Sequence, residues 1–329
     1  METRTLGRTG RTVSVIGLGT WQLGADWGAV DDDAARAVLD ASHAAGVTMY
    51  DTADAYGDGR SEQRIASWLD ARGLRGQVFV ATKIGRRVPQ LAENYSMANF
   101  RAWIDRSRTN LGTDTLDLVQ LHCPPDEVYA SDAVFDGLDT LVAEHAIAAY
   151  GVSVETTAQA LSAIARPGVA TVQIILNAFR LKPLDAVLPA AMDAGVGIIA
   201  RVPLASGLLS GRYDHDTTFA ADDHRSYNRD GSSFDVGETF SGVDFDEGVE
   251  AAREFSALAR AHGLEPATAA LAWVAQLPGV STVIPGARNV AQAEANAAAG
   301  SVAPLGPEFT AAVRDLYDRR IRAAVHDRW

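Results

Sequence analysis

Short, nearly continuous apolar runs alternate with longer amphipathic stretches along almost the whole chain. Thr3–Leu6 and Val13–Ile16 flank Gly7-Arg8-Thr9-Gly10, a pattern that predicts a β-hairpin. Beyond it, apolar runs near residues 17, 48, 80, 119, 150, 172, 199 and 283 predict eight strands. Asp31–Ala45, Ser61–Arg72, Met97–Leu111, Asp132–Glu144, Thr156–Ala165, Leu184–Ala194, Ala267–Gln276 and Val290–Ala299 carry helical spacing between and after them. Gly46, Gly73, Gly112 and Gly195 stand where helices should stop, and Pro266 where one should start.

Strands buried on both faces read as continuous apolar runs, and repeated strand–helix units point to a parallel sheet. Eight such units in 329 residues predict an α/β fold, a closed (β/α)8 TIM barrel. The N-terminal hairpin precedes the barrel. Val249–Ala261 and Pro307–Val325 add extra helices toward its C-terminal end. A doubly wound sheet is the alternative. The residues Ile16-Gly17-Leu18-Gly19-Thr20-Trp21-Gln22 do not support a dinucleotide fingerprint, because Gln22 stands where its third glycine belongs. No repeat, low-complexity tract or linker divides the chain, so residues 1–329 are expected to form one domain. Residues 206–248 break the pattern. They are rich in Asp, Gly and Ser, and are expected to serve as a lid, a binding loop or a mobile segment.

Charge narrows the partners. The net charge is −13 and the pI about 4.9, which disfavours nucleic acid and anionic membranes. No apolar run approaches the ~20 residues of a membrane span, and no signal-peptide pattern opens the chain. Cys123 stands alone, so no intramolecular disulfide is expected. A cytoplasmic protein is the expectation, monomeric by default, with an oligomer left open. Asp214-His215-Asp216 and Asp222-Asp223-His224 read as an acidic solvated loop, and no metal is expected.

Active sites of such barrels lie at the C-terminal strand ends, and those ends here hold chemistry. The second strand ends at Asp51 with Tyr56 just beyond, the third at Thr82-Lys83, and the fourth at Gln120-Leu121-His122. An ammonium beside a phenol favours the phenolate and is expected to lower its pKa. A carboxylate keeps the ammonium charged, and a neutral histidine hydrogen-bonds a substrate oxygen. Such a group protonates a carbonyl oxygen, but supplies no hydride, so a nicotinamide cofactor is required.

At these residues the chain resembles the aldo-keto reductases, over essentially its whole length. The matching pieces are Gly17-Leu18-Gly19-Thr20, Asp51-Thr52-Ala53 with Tyr56-Gly57, Thr82-Lys83, Asp117–His122, Gly151-Val152-Ser153, Gln173, Pro203-Leu204, and Ile284–Arg288 with Gln292 and Asn296. The resemblance implies a tetrad of Asp51, Tyr56, Lys83 and His122, with Tyr56 the proton donor and NADPH/NADP+ the cofactor. It places Ser153 and Gln173 on the nicotinamide carboxamide, Arg288 on the 2′-phosphate, and Gln292 and Asn296 near the adenine. Gly19, Thr20, Trp21, Asp51, Arg201, Pro203, Leu204 and Gly286 complete the expected cofactor wall. Two positions depart from the pattern. Val154 replaces a common asparagine. Arg201 stands where many relatives carry an aromatic residue that stacks on the nicotinamide; a guanidinium stacks on a ring or binds phosphate.

The expected reaction is NADPH-dependent reduction of an aldehyde or ketone, with the reverse alcohol oxidation open. Trp21, Tyr56, His122 and Arg86 are the candidate contacts to a small carbonyl substrate, and Tyr227 and Phe234 are candidates to close over it. Two alternatives share these features. One is a Schiff-base aldolase using Lys83, which the neighbouring Asp51 opposes. The other is an NADPH-binding regulatory subunit resembling channel β-subunits, for which no partner-directed extension precedes the hairpin.

Overall fold

The computed structural model describes residues 1–24 and 30–329. Strands β1 (Thr3–Thr5) and β2 (Thr12–Ser14) pair antiparallel, joined by a 3-10 turn over Gly7–Thr9. Eight parallel strands follow: β3 (Leu18–Gly19), β4 (Met49–Asp51), β5 (Phe79–Ile84), β6 (Leu118–His122), β7 (Tyr150–Ser153), β8 (Val169–Ile175), β9 (Gly197–Arg201) and β10 (Val280–Val283). Each pairs with its neighbour in chain order. Parallel bridges between Ile16 and Val283 and between Gly19 and Gly286 join the first strand region to the last, which closes the (β/α)8 barrel.

The two-residue period of a strand sorts side chains between the barrel interior and the helices. Along β5, Val80 and Ile84 belong to the large core under the helices, whereas Phe79 and Ala81 join a separate interior cluster with Met49, Leu118 and Ile199. Leu6 and Val13 of the hairpin pack into that same cluster. The hairpin therefore plugs the end of the barrel where the strands begin. Two residues on from each plug residue, the same parity brings Asp51, Lys83, Gln120 and Arg201 to the opposite end, with His122 one step above Gln120. The ladder sets these ends side by side: Asp51 is in register with Ala81, Lys83 with Gln120, His122 with Ser153, and Ser153 with Gln173.

Several helices start or stop at a cap. Asp31 accepts from the backbone N–H of Ala34 to open Asp32–Ala44, and Thr156 with Gln159 forms a capping box for Thr157–Ile164. Gly73 and Gly112 end Arg60–Arg72 and Met97–Leu111 in left-handed conformations. Three differences from expectation have local causes. The extra helix begins at Phe245 rather than Val249, because Asp244 caps it and Asp246 and Glu247 favour its positive end. The expected helix 307–325 breaks at Ile321 into Gly306–Arg320 and Arg322–Val325, where the buried Tyr317 hydroxyl meets His326 Nδ1 at 2.9 Å. A short helix, Asp126–Ala130, follows β6 where no periodicity signalled one.

Residues 206–248 are more structured than their composition suggests. They hold 3-10 turns at Ala205–Ser210, Val236–Glu238 and Phe240–Gly242 and one helical turn at His224–Tyr227. Tyr213, Phe219, Phe240 and Phe245 pack ring on ring, and the Arg225 guanidinium lies 4.4 Å over Phe219. The buried Asn228 Oδ1 accepts from the backbone N–H groups of Ser233 and Phe234. Aromatic residues spaced without helical or strand period build this small core, which periodicity does not detect.

Candidate active site

Lys83 organises the strand ends. Its ammonium donates to Asp51 Oδ1, to the Thr52 carbonyl at 2.9 Å and to the Tyr56 hydroxyl at 3.3 Å. Lys83 is 1% exposed and Asp51 2%, so the pair is shielded from bulk solvent. The second Asp51 oxygen accepts from Gln173 Nε2 at 2.8 Å and from Gln120 Nε2 at 3.1 Å. A buried ion pair persists only when its remaining lone pairs and protons are satisfied, and these two amides and the Thr52 carbonyl satisfy them. Gly57 makes the loop fit: it has φ 61°, and a Cβ there would lie 2.1 Å from the Gly24 carbonyl oxygen. Thr20, Thr52 and Ser61 link β3, β4 and the next helix through buried hydroxyls, with Ser61 donating to Thr20 Oγ1 at 2.8 Å.

Electrostatics follow from this burial. Burial opposes the Lys83 charge, but Asp51 and Tyr56 reverse the effect and hold its pKa above the ordinary value. Tyr56 differs from expectation. Burial raises its pKa, and Lys83 offsets that only in part, so the phenol stays protonated. His122 is driven well below the usual histidine range by burial and by Arg86, Lys83 and Arg201. Its ring stands edge-on to Tyr56 with centroids 6.0 Å apart, and Nδ1 has no hydrogen-bond partner among the described residues. The strand ends thus present a neutral imidazole, a neutral phenol and a fixed ammonium.

Tyr56 and His122 open onto a cleft of about 600 Å³. Every residue that the resemblance assigns to the cofactor lines it. Trp21 packs against Tyr56 at 6.3 Å and against His224 at 5.3 Å. Phe234 reaches Trp21 edge-on at 6.2 Å, and Tyr227 reaches Phe234 at the same distance. Past β9 the backbone is strained: Val202 has φ 52° and Ala205 φ 47°, a region a β-branched residue rarely enters. Arg212, Arg225 and Arg288 also line the cleft. Arg225 forks onto Asp223, and Arg288 Nη2 stands 3.9 Å from the same carboxylate. The Arg288 backbone N–H donates to Gln292 Oε1 at 2.8 Å, and Asn296 Nδ2 donates to the Gly286 carbonyl at 3.1 Å.

Two expected contacts are differently engaged. Arg201 is 7% exposed, donates to Glu238 and sends Nη2 to the Val154 carbonyl at 2.9 Å. The two positions that depart from the expected pattern, Val154 and Arg201, thus meet through the valine backbone. Arg86 pairs with Glu155 Oε1 at 3.1 Å and does not line the cleft, whereas Trp21, Tyr56 and His122 do. Sequence reasoning missed Glu238, Arg225 and the support Gln120 gives Asp51, and it read Asp223 and His224 as part of a solvated loop, whereas both are buried. Strand parity would have found Gln120, two residues before His122. Nothing in the sequence marks Glu238 or Arg225, because their segment lacks period.

The profile described as the Aldo/keto reductase family matches residues 15–318. The chain belongs to the aldo/keto reductase family. An aldo-keto reductase of Bacillus subtilis is 30% identical over 299 residues, covering 90% of this chain and 87% of that one. Among solved structures, the glycerol dehydrogenase of Gluconobacter oxydans superposes with a TM-score of 0.77 at 30% identity, covering 94% of this chain and 93% of its own. An aldo-keto reductase from Klebsiella pneumoniae, solved with NADPH, gives 0.71 at 26% identity over 96% of each chain. The aldo/keto reductase fold and the barrel read from strand ends therefore coincide.

Proposed function

We propose that this aldo/keto reductase reduces an aldehyde or ketone to an alcohol with NADPH, using Tyr56 as the proton donor. The observation that carries the reading is the Lys83 ammonium bridging Asp51 and Tyr56 at the mouth of the cleft.

The cleft suits a long anionic cofactor. A Cβ on Gly286 would come 2.3 Å from the Gln22 amide, so backbone alone fits there. Arg212, Arg225 and Arg288 bring positive charge to its lining. Arg288 would meet the 2′-phosphate and Ser153 with Gln173 the carboxamide; that a relative was solved with NADPH supports the choice of cofactor. The hydride for such a reduction comes from NADPH.

The chain's own residues handle the proton. As charge develops on the carbonyl oxygen, the Tyr56 O–H transfers its proton to that oxygen. Lys83 stabilises the phenolate left behind, and Asp51 keeps Lys83 in place. His122, neutral, donates a ring N–H to the same oxygen and orients it. Trp21 shields the reacting centre from water. In the reverse direction the phenolate accepts the alcohol proton.

The charged state of Lys83 counts against a Schiff base, which needs a neutral amine. A single barrel working as a cytoplasmic monomer is part of the same proposal; among the described residues no helix is long and apolar enough to cross a membrane. The test is NADPH absorbance with purified protein and a panel of aldehydes, ketones and sugars. Carbonyl-dependent NADPH loss is expected, and none across the panel contradicts the reading.

A further inference from the structure

Arg201 is fixed in the cleft wall by Glu238, and Glu238 comes from a segment built of short turns. Something must hold that segment in place. The contacts behind it converge on Trp329.

Trp329 is 6% exposed, and the Arg180 guanidinium lies 3.7 Å over its ring. Arg180 is fully buried. It donates to the Glu155 carbonyl, while its Nε and Nη1 have no hydrogen-bond partner among the described residues. A buried cation left short of acceptors needs another source of stabilisation, and the indole face supplies it. The stack presses directly on the stretch that carries Glu238. A Cβ on Gly237 would lie 2.2 Å from Arg180 Nη1 and 2.9 Å from the Trp329 ring, and one on Gly242 would also meet that ring at 2.9 Å. Trp329 is itself tied to the barrel, where Thr157 Oγ1 donates to its carbonyl at 3.1 Å.

We propose that Trp329 is a positioning residue for the reductase reaction: stacked on Arg180, it seats Gly237 so that Glu238 fixes the Arg201 guanidinium at the wall of the catalytic cleft. This rests on the reductase reading above. Neither Trp329 nor Arg180 lines the cleft, so the effect passes through Glu238 and Arg201.

A double-mutant cycle on the full chain tests it, with kcat/KM for the best carbonyl as readout. Trp329→Ala and Glu238→Gln should each lower kcat/KM about tenfold, and the double variant should stay near the larger single loss. Trp329→Phe, which keeps an aromatic face, should recover most of the rate. Multiplying losses, of about a hundredfold in the double variant, overturn the proposal, as does an unchanged rate in Trp329→Ala. If Trp329→Ala melts below the assay temperature, Gly237→Ala drives a wedge into the same contact and takes its place in the cycle under the same criterion. Wild-type turnover, measured first, separates the two readings. Its absence overturns both, whereas turnover with independent losses overturns only the positioning role.

Discussion

The Lys83 ammonium donates to the Tyr56 hydroxyl over 3.3 Å while Asp51 holds its other side. That geometry gives the ammonium two tasks with one position. It offsets part of the burial that raises the Tyr56 pKa, and it faces the oxygen on which negative charge appears once the proton leaves. On the proposed mechanism, Lys83 acts chiefly on the phenolate of the transition state rather than by making the resting phenol acidic.

Removing that charge should be costly twice. Lys83→Met should lower kcat by at least about a hundredfold and also destabilise the fold, because Asp51 stays buried with only amide partners. Turnover and thermal unfolding on one preparation check both. A variant with near-native kcat would contradict the role.

Tyr56 titrates above its ordinary value and His122 well below its own. From about pH 6 to about pH 9, the phenol stays protonated and the imidazole neutral. The reduction rate should be flat across that window. Alcohol oxidation, which needs the phenolate, should rise with pH throughout it. An inflection near pH 6.5 in the reduction profile would show that His122 titrates there.

Asp54 is fully buried next to the tetrad, and neither carboxylate oxygen has a hydrogen-bond partner among the described residues. Burial, helped by Glu62, pushes its pKa up to about 7 from 3.8. The fold prefers the protonated acid, so its contribution is complete below about pH 4 and is lost as pH rises through about 7. The loss is on the order of 4 kcal/mol. Asp54→Asn cannot ionise. Its melting temperature should gain on the wild type between about pH 4 and pH 7 and then hold that gain. A difference independent of pH would contradict this.

Arg288 lies in the cleft with Arg225 and near Asp223. Arg288→Glu should raise the KM for NADPH at least about tenfold more than that for NADH, since only NADPH carries the 2′-phosphate. Equal rises would remove that assignment.

The barrel was legible because buried parallel strands and their capped helices carry strong local signals, as Val47–Asp51 and Met97–Leu111 show. The grouping of Asp51, Lys83 and His122 was legible because they break apolar runs at strand ends where packing does not call for them. The wall built by residues 206–248 was not. Asp223, Arg225 and Glu238 act through contacts remote in sequence, and Glu238 meets Arg201 across 37 residues. The direction of the Tyr56 shift was also out of reach, because it depends on how deeply the phenol is buried. Arg86 shows the converse: its position after β5 suggested substrate, but Glu155 takes its guanidinium.

The central claim is that Tyr56 delivers the proton. The most direct measurement compares Tyr56→Phe with wild type in single-turnover NADPH oxidation by a good carbonyl substrate, alongside NADPH binding by fluorescence. A rate loss of at least about a thousandfold is expected, with NADPH affinity nearly unchanged. A variant that binds NADPH and still reduces the carbonyl at close to the wild-type rate would contradict it.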